Sequence, residues 1–148
     1  MKLSENFYLI EFTRSQTATR KGIDNIPTTE HIYNLRQLCY FILQPLRQAL
    51  GFPLQISSGY RSVQLNRAIG GSTTSQHSIG QAADLVHPEK NKDIFDYIRK
   101  NLPFDQLIWE FGNNDSPDWV HVSWAIEKRG EVMAAQKGDY GTEYTYMP

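Results

Sequence analysis

The sequence predicts an α+β fold in one domain, with a small, mainly antiparallel sheet and flanking helices packed on one of its sides. Three observations predict it. Four short stretches, residues 54–57, 82–86, 106–110 and 119–125, have strand character and are bounded by Gly, Pro, Asn or Ser. Two longer stretches, residues 28–50 and 89–101, repeat apolar residues at helical spacing. The chain has 148 residues, enough for one domain with a real core and too few for two ordinary domains. No repeat, linker or low-complexity segment divides it. The expected unit is therefore residues 1–148, with its informative motifs in a core of about residues 28–126.

Each element has a local reason. Phe7, Leu9, Ile10 and Phe12 are apolar, in a mixed segment at residues 3–26. Residues 15–22 read as a short polar helix stopped by Gly22. Thr28 is the expected N-cap of the longest helix, whose buried stripe is Ile32, Leu35, Leu38, Cys39, Ile42, Leu46 and Leu50. Pro45 inside that stripe predicts a kink or split near Leu43, and Gly51 the end. Residues 54–57 alternate as a strand. Residues 58–61 form a turn, and 63–69 a short helix ended by Gly70 and Gly71. A small, polar loop spans 72–80 before the strand at 82–86. The helix at 89–101 turns Ile94, Phe95 and Ile98 inward. The strands at 106–110 and 119–125 flank a turn at 112–117. Residues 130–148 are rich in Gly and Tyr with no clear period, which fits a hairpin or a partly ordered tail.

Composition excludes several classes. The net charge is −1, so no global basic field points to nucleic acid or an anionic membrane. No apolar stretch is long enough to span a bilayer. The single Cys39 sits among Leu38, Tyr40 and Phe41 and reads as buried filler; it forbids an intramolecular disulfide and a Cys-rich closed metal site. Residues 1–6 lack the apolar core of a signal peptide, which leads to an expectation of cytoplasmic synthesis.

His77, Asp84 and His121 offer two imidazoles and one carboxylate. Three such ligands leave a fourth tetrahedral position open, the pattern of a catalytic zinc site. An aspartate beside Leu85 and Val86 needs a partner, because a buried unpaired carboxylate is costly. A metal is one such partner; a turn cap or an arginine pair is the plainer one. His121 lies between Val120 and Val122, so its side chain faces away from theirs, and alone it would read as a satisfied core histidine. Gly80 can take a positive φ and fold the loop carrying His77 back onto the strand carrying Asp84. His87 is placed near the mouth of such a site, and His31 on the surface far from it.

Residues 75–84 fit the pattern Ser-x-His-x-x-Gly-x-Ala-x-Asp. Trp-Val-His-Val-Ser follows at 119–123, and Ser-Gly-Tyr-Arg-Ser precedes at 58–62. Three motifs in this order resemble the zinc D-Ala-D-Ala carboxypeptidase and L-Ala-D-Glu endopeptidase family (peptidase M15-like), which shares its fold with the Hedgehog signalling domain. The resemblance spans residues 43–124. It implies a Hedgehog/DD-peptidase-like fold, Zn2+ as cofactor, and His77, Asp84 and His121 as its ligands. It also implies hydrolysis of a peptide bond in the stem peptides of bacterial peptidoglycan.

Amide hydrolysis at such a site needs a carboxylate to carry the water's proton to the leaving amine. Two stand near His121. Asp118 makes the Asp-x-x-His spacing that resembles the family's acid-x-x-His motif. Glu110 ends the strand Leu107-Ile108-Trp109 and resembles a glutamate of Hedgehog-like members. Its neighbours Trp109 and Phe111 would raise its pKa toward a useful value, so it is preferred, with Asp118 kept open. Arg61, by resemblance, binds a substrate carbonyl or carboxylate, and a guanidinium suits both a carboxylate and an oxyanion. Ser75, Tyr60 and Gln64 are further candidates for substrate contact. Trp109, Trp119 and Trp124 divide between core and cleft wall. The enzyme reading, in a phage or prophage lysis protein or a virion hydrolase, has two rivals on the same scaffold: a non-catalytic zinc-binding module and a structural phage protein.

Overall fold

The computed structural model describes residues 1–148. A two-stranded ladder, β1 (Lys2–Ser4) with β2 (Phe7–Tyr8), opens the chain, followed by the short helices α1 (Leu9–Thr13) and α2 (Gln16–Lys21). Ser15 caps α2 by accepting from the Ala18 N–H at 3.2 Å, and Gly22 ends it in the left-handed region at φ 65°. The long helix begins as expected: Thr28 Oγ1 accepts from the His31 N–H at 3.2 Å. It continues as α3 (Thr29–Leu38), a π-turn (Cys39–Leu43) and α4 (Gln44–Leu50). Pro45 accounts for the π-turn. It has no N–H for the α-ladder, and the chain widens by one residue just ahead of it, with the Gln44 N–H bonded to the Cys39 carbonyl five residues back.

The remaining elements are β3 (Gln55–Ser58), α5 (Val63–Ala68), a 3-10 turn (Gln76–Ile79), β4 (Ala82–Val86), α6 (Asn91–Asn101), β5 (Gln106–Glu110), β6 (Trp119–Ser123), β7 (Glu131–Gly138) and β8 (Gly141–Tyr146). The last six strands form one mixed sheet in the order β3-β4-β6-β5-β7-β8. All neighbours are antiparallel except β5 and β7, which run parallel. The expected antiparallel core is therefore present, and the sheet is wider than expected because residues 131–146 form a hairpin added to its β5 edge.

Alternation along the strands separates two faces. Ala83, Leu85, Leu107, Val120 and Val122 join one buried cluster with Leu35, Leu38, Ile42, Leu43 and Leu46 of the long helix and Ile94, Phe95 and Ile98 of α6. Each of these α6 side chains is at most 1% exposed, which contributes roughly 1.5–3 kcal/mol apiece. The opposite face carries Asp84, His121, Ile108 and Glu110. Asp84 is paired with His121, His121 with Ile108, and Ile108 with Met133. Burial of the first face against helices fixes the register, and the register lines up the chemistry on the second.

Candidate metal centre and cleft

His77 rides on the 3-10 turn. Ser75 caps that turn by accepting from the His77 N–H at 3.2 Å, and Gly80 closes it at φ 77°. A Cβ on Gly80 would run into the carbonyl of His31, so glycine is required there both for its backbone and for its lack of a side chain. Contrary to expectation, His31 is not remote from the motif. Its ring lies 5.0 Å from that of Tyr60, and Asn34, one turn further along α3, donates to the Ile79 carbonyl at 2.8 Å. The start of α3 is thus the buttress of the loop that carries His77. Sequence periodicity showed the helix but not the element it packs against.

Three ligand atoms converge. His77 Nε2 lies 3.4 Å from Asp84 Oδ1, and His121 Nδ1 lies 3.0 Å from the same oxygen. One donor atom from each residue falls within 4.8 Å of the others. Bonds of about 2.0–2.1 Å at a tetrahedral metal put neighbouring donors about 3.3 Å apart, so the spacing fits a small divalent ion. The other nitrogen of His77, Nδ1, is 2.7 Å from the Gly59 carbonyl. Donation to that carbonyl leaves Nε2 as the free lone pair, the tautomer a metal ligand needs. His77 is 2% exposed and His121 8%. Burial opposes ionisation of Asp84, but the two histidines outweigh it and hold the carboxyl well below the usual aspartate range.

The cluster lies in an open cleft of about 700 Å³. Arg61, Ser75, Glu110, Trp119 and Tyr144 also line it. Glu110 is 8% exposed, and burial pushes its carboxyl up to about 7, with Asp84 adding to the rise and His121 and Arg61 opposing it. Burial lowers the Arg61 guanidinium, while Asp84 and Glu110 raise it. Arg61 Nε is buried without a hydrogen-bond partner, so this cation has unused donor capacity beside the cluster. The main chain of Arg61 is fixed by its N–H, which donates to the His77 carbonyl at 3.1 Å.

Other expected residues lie elsewhere. Asp118 is exposed just before β6 and is not part of the cleft lining, although its backbone is anchored to Glu110 and Asn91. Alternation backward from His121 puts Trp119 on the cleft face, so the next residue back turns away. Tyr60 is 5% exposed behind the cleft, and Gln64 is exposed on α5; neither lines the cleft. His87, expected near its mouth, packs against Phe52 at 4.8 Å between rings. The tryptophans divide: Trp109 packs edge-on against Phe95, Trp124 stacks on Phe41 at 4.2 Å, and Trp119 joins the cleft.

Two features escaped sequence reasoning. Phe111 has φ 56° and Gly112 φ 71°, a sharp turn that aims Phe111 into the cleft 5.3 Å from Trp119. The hairpin of β7 and β8 supplies Met133, Thr142, Tyr144 and Tyr146 as a further wall. The alternation of Thr142, Tyr144 and Tyr146 was the available signal for that strand.

A family model described as Peptidase M15 matches residues 5–123. Over 82 residues the chain is 46% identical to a zinc D-Ala-D-Ala carboxypeptidase of Streptomyces albus G, which covers 55% of this chain and 32% of that protein. The chain therefore corresponds to about a third of this relative's length. The family match takes in all three converging ligands, Arg61 and Glu110, and on that match the chain belongs to the peptidase M15 family.

Proposed function

We propose that this chain is a zinc peptidase that hydrolyses a peptide bond in the stem peptides of bacterial peptidoglycan. The observation that carries the reading is the convergence of His77 Nε2, Asp84 Oδ1 and His121 Nδ1 beside a cationic Arg61 and a buried Glu110. Two imidazoles and a carboxylate suit Zn2+, and the zinc carboxypeptidase relative supports that choice of metal and of substrate. Bound there, zinc supplies Lewis acidity toward a carbonyl and a water molecule.

The protein's own groups do the rest. Asp84 and the two histidines hold the ion, and Gly59 and Ser75 hold His77 in its tautomer and turn. Glu110, in the cleft wall, takes a proton from the attacking water on its carboxylate and returns it to the leaving amine. Arg61, whose Nε has no protein partner, donates from its guanidinium to the scissile carbonyl or to a substrate carboxylate. Asp118 is the second candidate for proton carrier; its support is the three-residue spacing to His121.

The fold is read here as the Hedgehog/DD-peptidase type, and residues 1–148 as one domain. One buried cluster runs from Leu3 to Trp124, with Met147 packed against it. No helix is long and apolar enough to cross a membrane.

The test joins bound-zinc content to digestion of purified peptidoglycan, with and without chelator, and mass spectrometry of the released peptides. About one zinc per chain and chelator-sensitive release are expected, and the new termini name the bond, D-Ala-D-Ala, L-Ala-D-Glu or a cross-bridge. A full complement of zinc with no released peptide would replace the enzyme with a binding or structural module.

A further inference from the structure

The cleft is longer than its chemistry requires. From His121 the paired row runs to Ile108, then Met133, then Tyr146, three strand steps across the sheet. Strands lie about 4.8 Å apart, so the row reaches about 14 Å from the metal ligands. An extended peptide advances about 3.4 Å per residue, so this distance holds about four residues. The near half of the floor is Ile108 and Met133. The far end is Tyr144 and Tyr146, 55% and 69% exposed, with Thr142 beside them. Ala135 is paired with Glu110 on one side and Tyr144 on the other, and its small side chain leaves the phenol free to lean toward the catalytic carboxylate. Burial, then Glu110 and Asp84, raise the Tyr144 hydroxyl, which agrees with that placement.

None of these four hairpin residues lies within residues 5–123, the span shared with the family. Nor do Tyr144 and Tyr146 have a structural duty that explains them. They are large, more than half exposed, and on the outermost strand of the sheet, where polar side chains would keep the edge soluble.

We propose that the β7–β8 hairpin forms a peptide-binding subsite, in which Tyr144 and Tyr146 grip substrate residues up to about four positions from the scissile bond. The ligand is an extended peptide segment, held by aromatic contact and by Ile108 and Met133 of the floor, with Gln106, Arg129 and Glu131 beside them to meet its polar groups. This rests on the peptidase reading above and adds the source of chain-length selectivity. Binding energy gathered there, remote from the reacting bond, favours long substrates over short ones.

The test uses the zinc-loaded protein and a series of peptides lengthened one residue at a time on either side of the cleaved bond. A parallel series carries a reduced, uncleavable bond and is read by calorimetry. Expected in the wild type is a rise in kcat/KM, and in affinity for the uncleavable series, that continues for about four residues on one side and then stops. Tyr144→Ala or Tyr146→Ala should each cut the long-to-short ratio about tenfold at unchanged zinc content. Tyr144→Phe and Tyr146→Phe should keep it within about threefold and guard against misfolding of the alanine variants. Tyr140→Ala, at the fully exposed hairpin tip and outside the cleft, is the control and should keep the wild-type ratio. No length dependence in the wild type, or the same ratio in both alanine variants, overturns the subsite. Length-dependent binding without cleavage of any peptide keeps the subsite and removes the peptidase reading instead.

Discussion

Two halves of one sheet face are built on opposite terms. The half made by β4, β6 and the end of β5 carries His121 and Glu110, each at most 8% exposed, with Asp84 paired to His121 across the ladder. The half made by β7 and β8 carries Tyr144 and Tyr146, both mostly open to solvent. The first half rests on the α6 and long-helix core, which holds atoms to the sub-ångström tolerance that metal ligation and proton transfer need. The second is a hairpin at the sheet edge, where small shifts cost little. On the proposed reading, chemistry sits where packing is rigid, and recognition where sequence can vary without disturbing it.

The largest effect should come from breaking the rigid half. His77→Ala, Asp84→Ala and His121→Ala are each expected to lose bound zinc and to lower kcat/KM by about 10³-fold or more, with circular dichroism little changed. Full zinc content in all three would end the metal-site claim.

Next in size is the proton carrier. Glu110→Gln is expected to lower kcat by about 10²–10⁴-fold with zinc retained, and Asp118→Asn to change it little. The reverse result would pass the role to Asp118. Stability gives Glu110 a second signature in chelator-treated protein. Its folded pKa, about 7, lies above the ordinary 4.5, so the folded state keeps this proton over a range in which the unfolded chain has lost it. The contribution of Glu110 to stability is then full below about 4.5 and falls as pH rises toward 7, by about 2 kcal/mol after solvent screening. Urea unfolding across that range should show the slope in the wild type and lose it in Glu110→Gln. An equal slope in both proteins would detach it from this residue.

A third prediction concerns the joint between loop and strand. Gly80→Ala demands a left-handed backbone of a residue with a Cβ and drives that Cβ into the His31 carbonyl. A loss of about 2 kcal/mol in unfolding free energy is expected, with weaker zinc binding because His77 is displaced. Wild-type stability and zinc affinity would show that α3 does not buttress the loop.

What was legible in the sequence follows the same division. The strands at 82–86, 106–110 and 119–123 could be read because one face of each is buried in a helical core, which imposes alternation and small punctuating turns. Gly51, Gly22 and Thr28 marked helix ends because their local chemistry suffices. The π-turn was readable only as a kink at Pro45. The strands β1 and β2, of three and two residues, are too short to carry a period. The outer strand of the hairpin has little burial: every residue of β8 is exposed, so the alternation of Thr142, Tyr144 and Tyr146 had no buried core to mark it. Of the site residues, His77, Asp84, His121, Arg61, Ser75 and Glu110 met in one cleft, whereas Asp118 and Tyr60, also chosen from motifs, did not. Tyr60 and His31 had positions set by contacts between distant segments, which one sequence does not show, and Gln64 faces solvent on α5.

The smallest expected effect probes what couples the two halves. Asp105, 3% exposed, begins β5's turn and faces in three directions. Its carboxylate accepts from Gln76 of the 3-10 turn at 2.9 Å and from Arg129 Nε and Nη2 at 3.0 and 2.8 Å, while its carbonyl accepts from the Glu131 N–H at 2.9 Å. One residue thus ties the loop of His77 to the start of the hairpin. The hydrogen bonds from Arg129, more than the opposing burial, hold its carboxyl below the usual aspartate range. A depressed pKa contributes stability that is present above that range and is lost as pH falls through it. Arg129→Ala should therefore cost about 1–2 kcal/mol at pH 7 and less at an acid pH well below the usual aspartate range, low enough to protonate Asp105. Urea unfolding at the two pH values decides it. A loss of the same size at both would mean that Arg129 acts through packing, and that the hairpin is joined to the catalytic half by strand pairing alone.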